Sequence, residues 1–104
     1  MSIAKTPEPP YYVVIFTSLQ SGDAEGYSDM ANKMVTLAAQ QPGYLGIESA
    51  REAAGITVSY WRDLESIKQW KNHALHLEAQ AAGKSRWYSA YTTRIARVER
   101  EYSL

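Results

Sequence analysis

The chain has no cysteine, so a disulfide framework, a thiolate nucleophile and a Cys-ligated metal are all excluded. It has no surplus of charge either: eleven Lys and Arg balance eleven Asp and Glu. Nucleic-acid binders draw much of their affinity from neutralising phosphates, so a neutral chain argues against that class. No apolar run approaches the ~18 residues that span a bilayer, and no charged start leads into an apolar stretch of the signal-peptide kind. A soluble cytoplasmic protein, with neither nucleic acid nor membrane as partner, is the expectation. Histidine is scarce, with two, and phenylalanine occurs once.

Aromatic rings are the abundant feature. Eight Tyr, three Trp and one Phe fall in 104 residues. Such a number points to a large core, a flat partner surface or a ring-lined pocket. The length is that of one domain, and a chain of this size buries roughly two thirds of the surface its unfolded form exposes.

Residues 1–10 hold three of the four prolines and read as an extended arm ahead of a domain over 11–104. Residues 11–19 (YYVVIFTSL) form a short β-branched and aromatic run, expected as a strand buried on both faces. Asp23 is placed to cap a helix over 24–41, in which Tyr27, Met30, Ala31, Met34, Val35 and Ala38 recur at three- and four-residue steps. Pro42-Gly43 ends it. Residues 44–51 and 56–61 read as two strands of a hairpin, turning at Ala54-Gly55. Asp63 starts a second helix whose apolar face carries Leu64, Ile67, Trp70 and Leu77, with a break expected near His73-Ala74 and an end near Ala82. Residues 86–101 alternate as a last strand, faltering at Ile95-Ala96, where a β-bulge is expected.

The order β-α-β-β-α-β predicts an α+β, ferredoxin-like fold: a four-stranded antiparallel sheet with two helices on one face. The other face is apolar and left over. A large exposed apolar patch is rare on a monomer, so a second copy packed against it, giving a homodimeric α/β barrel, is the expectation.

Several fragments occur in one order: Pro42-Gly43-Tyr44-Leu45-Gly46, Glu48-Ser49, residues 55–61 (GITVSYW), Ile67-x-x-Trp70, His73, His76-x-x-x-Gln80, Gly83 and Trp87-Tyr88-x-x-Tyr91. Together they resemble the antibiotic biosynthesis monooxygenase superfamily of dimeric α+β barrels, over roughly residues 11–102. The resemblance implies the fold above and one of several activities. These are cofactor-independent oxidation of quinols or anthrones, heme degradation, or a non-catalytic ligand-binding role. In the heme-degrading branch a Trp on the second helix lies nine residues after a Trp ending the third strand, a spacing that Trp61 and Trp70 share. That branch's first-strand Asn falls here at Ile15, and its axial His at Gln80. His76 lies four residues earlier, about 6 Å along a helix.

His73 and His76 are candidates for a general base, since imidazole titrates near neutrality. Their commoner role is a surface helix residue. A zinc site needs three protein ligands, and two histidines three apart supply two, so no metal is expected. Trp70 is the candidate to stack on a substrate. Tyr60, Trp61, Trp87 and Tyr91 are the candidate pocket lining, though each ring is more often core. Lys84 and Arg86 flank a short loop and suit an anionic group or solvent alike. The reading favoured at this point is a small cofactor-independent monooxygenase acting on a planar aromatic molecule, heme being the alternative cofactor.

Overall fold

β-branched and aromatic side chains favour extended backbone, and their runs become the strands of this chain. The computed structural model describes residues 2–80 and 84–104. The elements are β1 (Tyr11–Gln20), α1 (Tyr27–Ala39), β2 (Tyr44–Arg51), β3 (Gly55–Trp61), α2 (Leu64–Gln80), a short helical turn α3 (Lys84–Trp87) and β4 (Tyr88–Val98). The strands form one antiparallel sheet in the order β2-β3-β1-β4. This is the expected ferredoxin-like α+β arrangement.

Register assigns each residue to a face. Tyr12, Val14, Phe16 and Ser18 stand opposite Trp61, Ser59, Thr57 and Gly55 of β3, and opposite Arg97, Ile95, Thr93 and Tyr91 of β4. These residues share one side of the sheet, because side chains alternate along a strand. The helices pack there: Ala38 of α1 and Ile67 of α2 are buried with Trp61, and Tyr12, Val14, Tyr44 and Trp70 close around them. The other side carries Tyr11, Val13, Ile15, Thr17 and Leu19 with Tyr60, Val58 and Ile56.

Local chemistry fixes the ends of the elements. Gly43 follows Pro42 with φ +83°, a left-handed conformation, and a Cβ there would run into the Ser66 side chain. Asp63 caps α2, its Oδ1 accepting the Ser66 amide at 2.8 Å. The hydrogen bonds from Ser66 hold the Asp63 carboxyl below its ordinary pKa.

Four local expectations are corrected. Asp23 does not cap α1; it accepts the Glu25 amide in a turn, and the capping position belongs to Gly26 at φ +78°. α2 runs without a break through His73-Ala74. The pairing of β1 with β4 is regular through Ile95 and Ala96, and its register shift lies instead at Leu19/Gln20. β1 is fully buried only at Tyr11, Val13 and Ser18, because the helices leave Val14 and Phe16 half-covered on one side and the other, otherwise bare, is covered only near Tyr11, by the arm and Tyr60.

The proline-rich arm lies against that bare side. The Ala4 amide donates to Glu48 Oε2 at 2.9 Å, and Tyr60 donates to Glu48 Oε1 at 2.6 Å. Gly46 lets Ala4 approach closely; a Cβ at position 46 would stand 2.8 Å from that of Ala4. Thr6 donates to the Tyr11 hydroxyl, which donates in turn to Glu101.

Candidate functional site

The helix side of the sheet holds two groups of rings. Trp61 ends β3 and is 0% exposed. Its Nε1 donates to Ser59 Oγ at 2.9 Å, its ring stacks on Trp70 at 5.9 Å, and Tyr44 meets it edge-on at 5.7 Å. The second group gathers around Phe16, whose ring lies 5.4 Å from both Tyr88 and Tyr91. Tyr27, at the start of α1, meets Trp87 at 5.9 Å and Tyr88 at 5.8 Å. Trp87 Nε1 donates to the Glu25 carbonyl, anchoring α3 to the entry of α1. Tyr12 and Phe16 mark the two groups on β1, four residues or about 13 Å apart along a strand.

Between the groups the helix side of β4 is open. α1 packs on β2 and α2 on β3, while β4 is exposed along its middle, Ile95 at 51%. Tyr91, Thr93 and Ile95 therefore lie uncovered beside Val14 and Phe16 on the helix side of the sheet. Two open depressions lie elsewhere. One of about 400 Å³ runs between the helices beside Lys33, Leu37 and Leu77. Another of about 450 Å³ separates the arm from Glu99–Tyr102.

Of the candidates from the sequence, Trp61, Trp70, Trp87 and Tyr91 come to the helix side. Tyr60 does not: it pairs with Val13 on the arm side, its ring against Tyr11 and its hydroxyl on Glu48. The inner stripe of α2 is Ser66, Ile67, Trp70, Ala74, Leu77 and Glu78. His73 is exposed on the flank of that stripe, and His76, also exposed, is carried across the helix from it. Ile15 lies on the opposite side of the sheet from Trp70, so the arrangement lends no support to a heme ligand at His76. No group of three His, Cys, Asp or Glu suited to a metal occurs among the described residues. Gln80 ends α2, and its side chain, like that of Lys84, falls outside the described residues. Gly83 lies outside them altogether. Arg86 pairs with Asp23 at 3.6 Å and donates to the Glu25 carbonyl.

Arg51 is marked by none of the sequence patterns above. It ends β2 directly opposite Gly55, and its Nη2 donates to Ser18 Oγ at 2.6 Å. Its guanidinium stands 5.9 Å from the Tyr27 ring. The sequence signal was an arginine and a glycine flanking a three-residue turn, which a hairpin must set side by side.

The phenols on both sides are hard to ionise. Burial, then the Tyr27 hydroxyl, pushes Tyr88 well above its ordinary value. Burial, reinforced by the Glu48 carboxylate, pushes Tyr60 up to about 12 from 10.0. Burial also raises Tyr44 and Tyr11. Below pH 10 the folded and unfolded chains both keep these protons. Between 10 and 12 the unfolded chain releases the Tyr60 proton first, so folding stability falls as pH rises through that window. Absorbance at ~295 nm is expected to show a delayed group of tyrosines that ionises well above pH 10. In Tyr60→Phe the delayed step shrinks. A single titration near pH 10 would contradict this.

Comparison with known proteins adds four findings. The family model for antibiotic biosynthesis monooxygenase matches residues 10–82. The chain is 52% identical over 101 residues to the uncharacterized protein YqjZ of Bacillus subtilis, covering 95% of this chain and 89% of that one. Among solved structures it is similar to Rv0793 of Mycobacterium tuberculosis, with a TM-score of 0.74 and 14% identity over 89% of this chain and 99% of the other. It is also similar to SnoaB, a cofactor-independent oxygenase from Streptomyces nogalater. There the TM-score is 0.65 and the identity 14%, over 92% of this chain and 98% of that one. At such identities the structural likeness shows a shared fold.

Proposed function

The chain belongs to the antibiotic biosynthesis monooxygenase family, and from that premise we propose that it is a small cofactor-independent monooxygenase of planar, electron-rich aromatics such as quinols or anthrones. The observation that carries the reading is the uncovered helix side of β4, exposed at Ile95 and flanked by the rings of Phe16, Tyr88 and Tyr91, which we read as a substrate cleft. SnoaB, which shares the fold, is itself a cofactor-independent oxygenase. No helix among the described residues is long and apolar enough to cross a membrane.

A fused-ring substrate would lie along β1, with Trp70 at one end and the Phe16 group at the other. His73, one turn past Trp70, takes a proton from the substrate. The resulting carbanion or phenolate passes an electron to dioxygen, and recombination gives a peroxide. Loss of water leaves a carbonyl, so that a methylene and one dioxygen become a ketone and one water. Nothing in that balance requires a flavin or a metal.

We place a second copy against the arm side of the sheet, where Ile56 and Leu19 are 46% and 47% exposed. The homodimer leaves the cleft on the opposite side free.

Oxygen uptake with a panel of quinols and anthrones tests the activity. At least one substrate should exceed its rate in buffer, with one dioxygen consumed per molecule. His73→Ala should lower kcat/KM by about 100-fold or more, while His76→Ala leaves it unchanged. If no substrate outruns the buffer rate, the proposal fails.

A further inference from the structure

Arg51, Gly55, Ser18 and Tyr91 occupy one row across all four strands, on the helix side of the sheet. Side chains in such a row are immediate neighbours. Gly55 contributes none, and the Arg51 side chain fills the space: a Cβ at 55 would lie 2.7 Å from its Nε and closer still to the guanidinium carbon. The guanidinium is thus laid flat across β3 and ends on Ser18 of β1, itself 2% exposed. Tyr27 stands over it, held in turn by the Tyr88 hydroxyl at 3.3 Å. The group is positioned before any ligand arrives.

Its hydrogen bonding is incomplete. A guanidinium has five N–H donors. Nη2 has Ser18, whereas Nη1 is buried and has no hydrogen-bond partner among the described residues. A buried charged donor without an acceptor is costly, and a protein retains one where something answers it. Phe16, Tyr27, Tyr88 and Tyr91 form the surroundings, so what answers it is attached to an aromatic body. The planar fork of arginine suits an oxyanion better than a neutral carbonyl.

We propose that Arg51 is an anion-anchoring residue of the cleft, its Nη1 donating to a carboxylate or phenolate oxygen on an aromatic ligand. The inference rests on the aromatic-ligand reading of the cleft and deepens it by naming the charge the ligand carries. Gly55 and Ser18 are positioning residues for the guanidinium. Glu78 acts on Tyr88 from α2, against the effect of Arg51. Arg51 ends β2, so the anionic end of the ligand belongs at the β2 side and its neutral rings extend toward β4.

Matched probes test this without turnover. 2-Naphthoate and 2-naphthamide have the same rings and nearly the same shape, and differ in charge. Calorimetric titration of the full chain should give a carboxylate preference of about tenfold or more, the usual scale of a charge-assisted hydrogen bond. Amide resonances of Ser18, Gly55 and Tyr27 should shift with the carboxylate. In Arg51→Met the preference should vanish with the circular dichroism spectrum unchanged, and Arg51→Lys should keep part of it. If Arg51→Met does not fold, the Arg51→Lys loss and the resonance map carry the test. Equal affinity for the two probes, no binding of either, or a preference that survives in Arg51→Met would overturn the proposal. An oxygen-uptake assay that failed while the carboxylate preference held would reject the oxygenase and leave this anchor standing.

Discussion

Trp61→Ala is expected to lower folding stability by about 3–5 kcal/mol, the usual range for emptying a buried Trp site. The residue has no exposed surface and joins Ala38 of α1 to Ile67 of α2 across the sheet. Its removal also strands Ser59 Oγ as an acceptor and leaves Tyr44 and Trp70 facing a void. For a domain of this size each kcal/mol moves the melting temperature by roughly 4–8 °C, so a drop on the order of 20 °C should appear in a thermal melt. Total stabilities of small domains run to about 5–15 kcal/mol, which makes substantial unfolding at physiological temperature an expected result. Trp61→Phe keeps most of the ring volume and should cost less than half as much. A melt of Trp61→Ala within a few degrees of the parent would mean that the core lies elsewhere.

Ile56→Glu should dissociate the proposed homodimer. Ile56 is 46% exposed in the single chain, so a carboxylate there meets water and the subunit keeps its fold. In the dimer the same carboxylate would be sealed among Thr17, Val58 and the twin's apolar face. An unpaired buried charge costs about 3–5 kcal/mol, which weakens association at least ~100-fold, since about 1.4 kcal/mol is a factor of ten. Sedimentation velocity at micromolar concentration should find a dimer for the parent and a monomer for the variant. A parent that sediments as a monomer removes the dimer altogether.

Much of the architecture was legible because periodicity is a physical requirement. The 3.6-residue recurrence of Met30, Met34 and Ala38 marked α1, and the hairpin appeared in the sequence within one residue of its bounds. Ends were harder, because caps depend on backbone sign as well as side-chain chemistry. Asp23 looked like a cap, but the left-handed Gly26 turns the chain three residues later. The face of a strand residue was harder still. Tyr60 and Trp61 are adjacent, so one must point to the arm and the other to the helices, and the sequence ranked both as pocket lining. His76 failed by a similar rotation: six residues past Trp70 is nearly two turns less a third, which carries it away from the inner stripe. Arg51 was overlooked because a cation at a strand end ordinarily reaches water. Its burial arises from a vacancy at Gly55 on the neighbouring strand, a pairing no local window contains.

The arm limits how any twin can sit. Ala4 covers Gly46 and Glu48 at one end of the bare face, whereas Ile56 and Leu19 lie toward the hairpin end. With part of that surface already roofed by its own chain, a subunit would offer its neighbour only the remainder. The two copies would then sit staggered like bricks in a wall, each overlapping the other at the hairpin tips, with the two arms lying as gaskets along the outer margins.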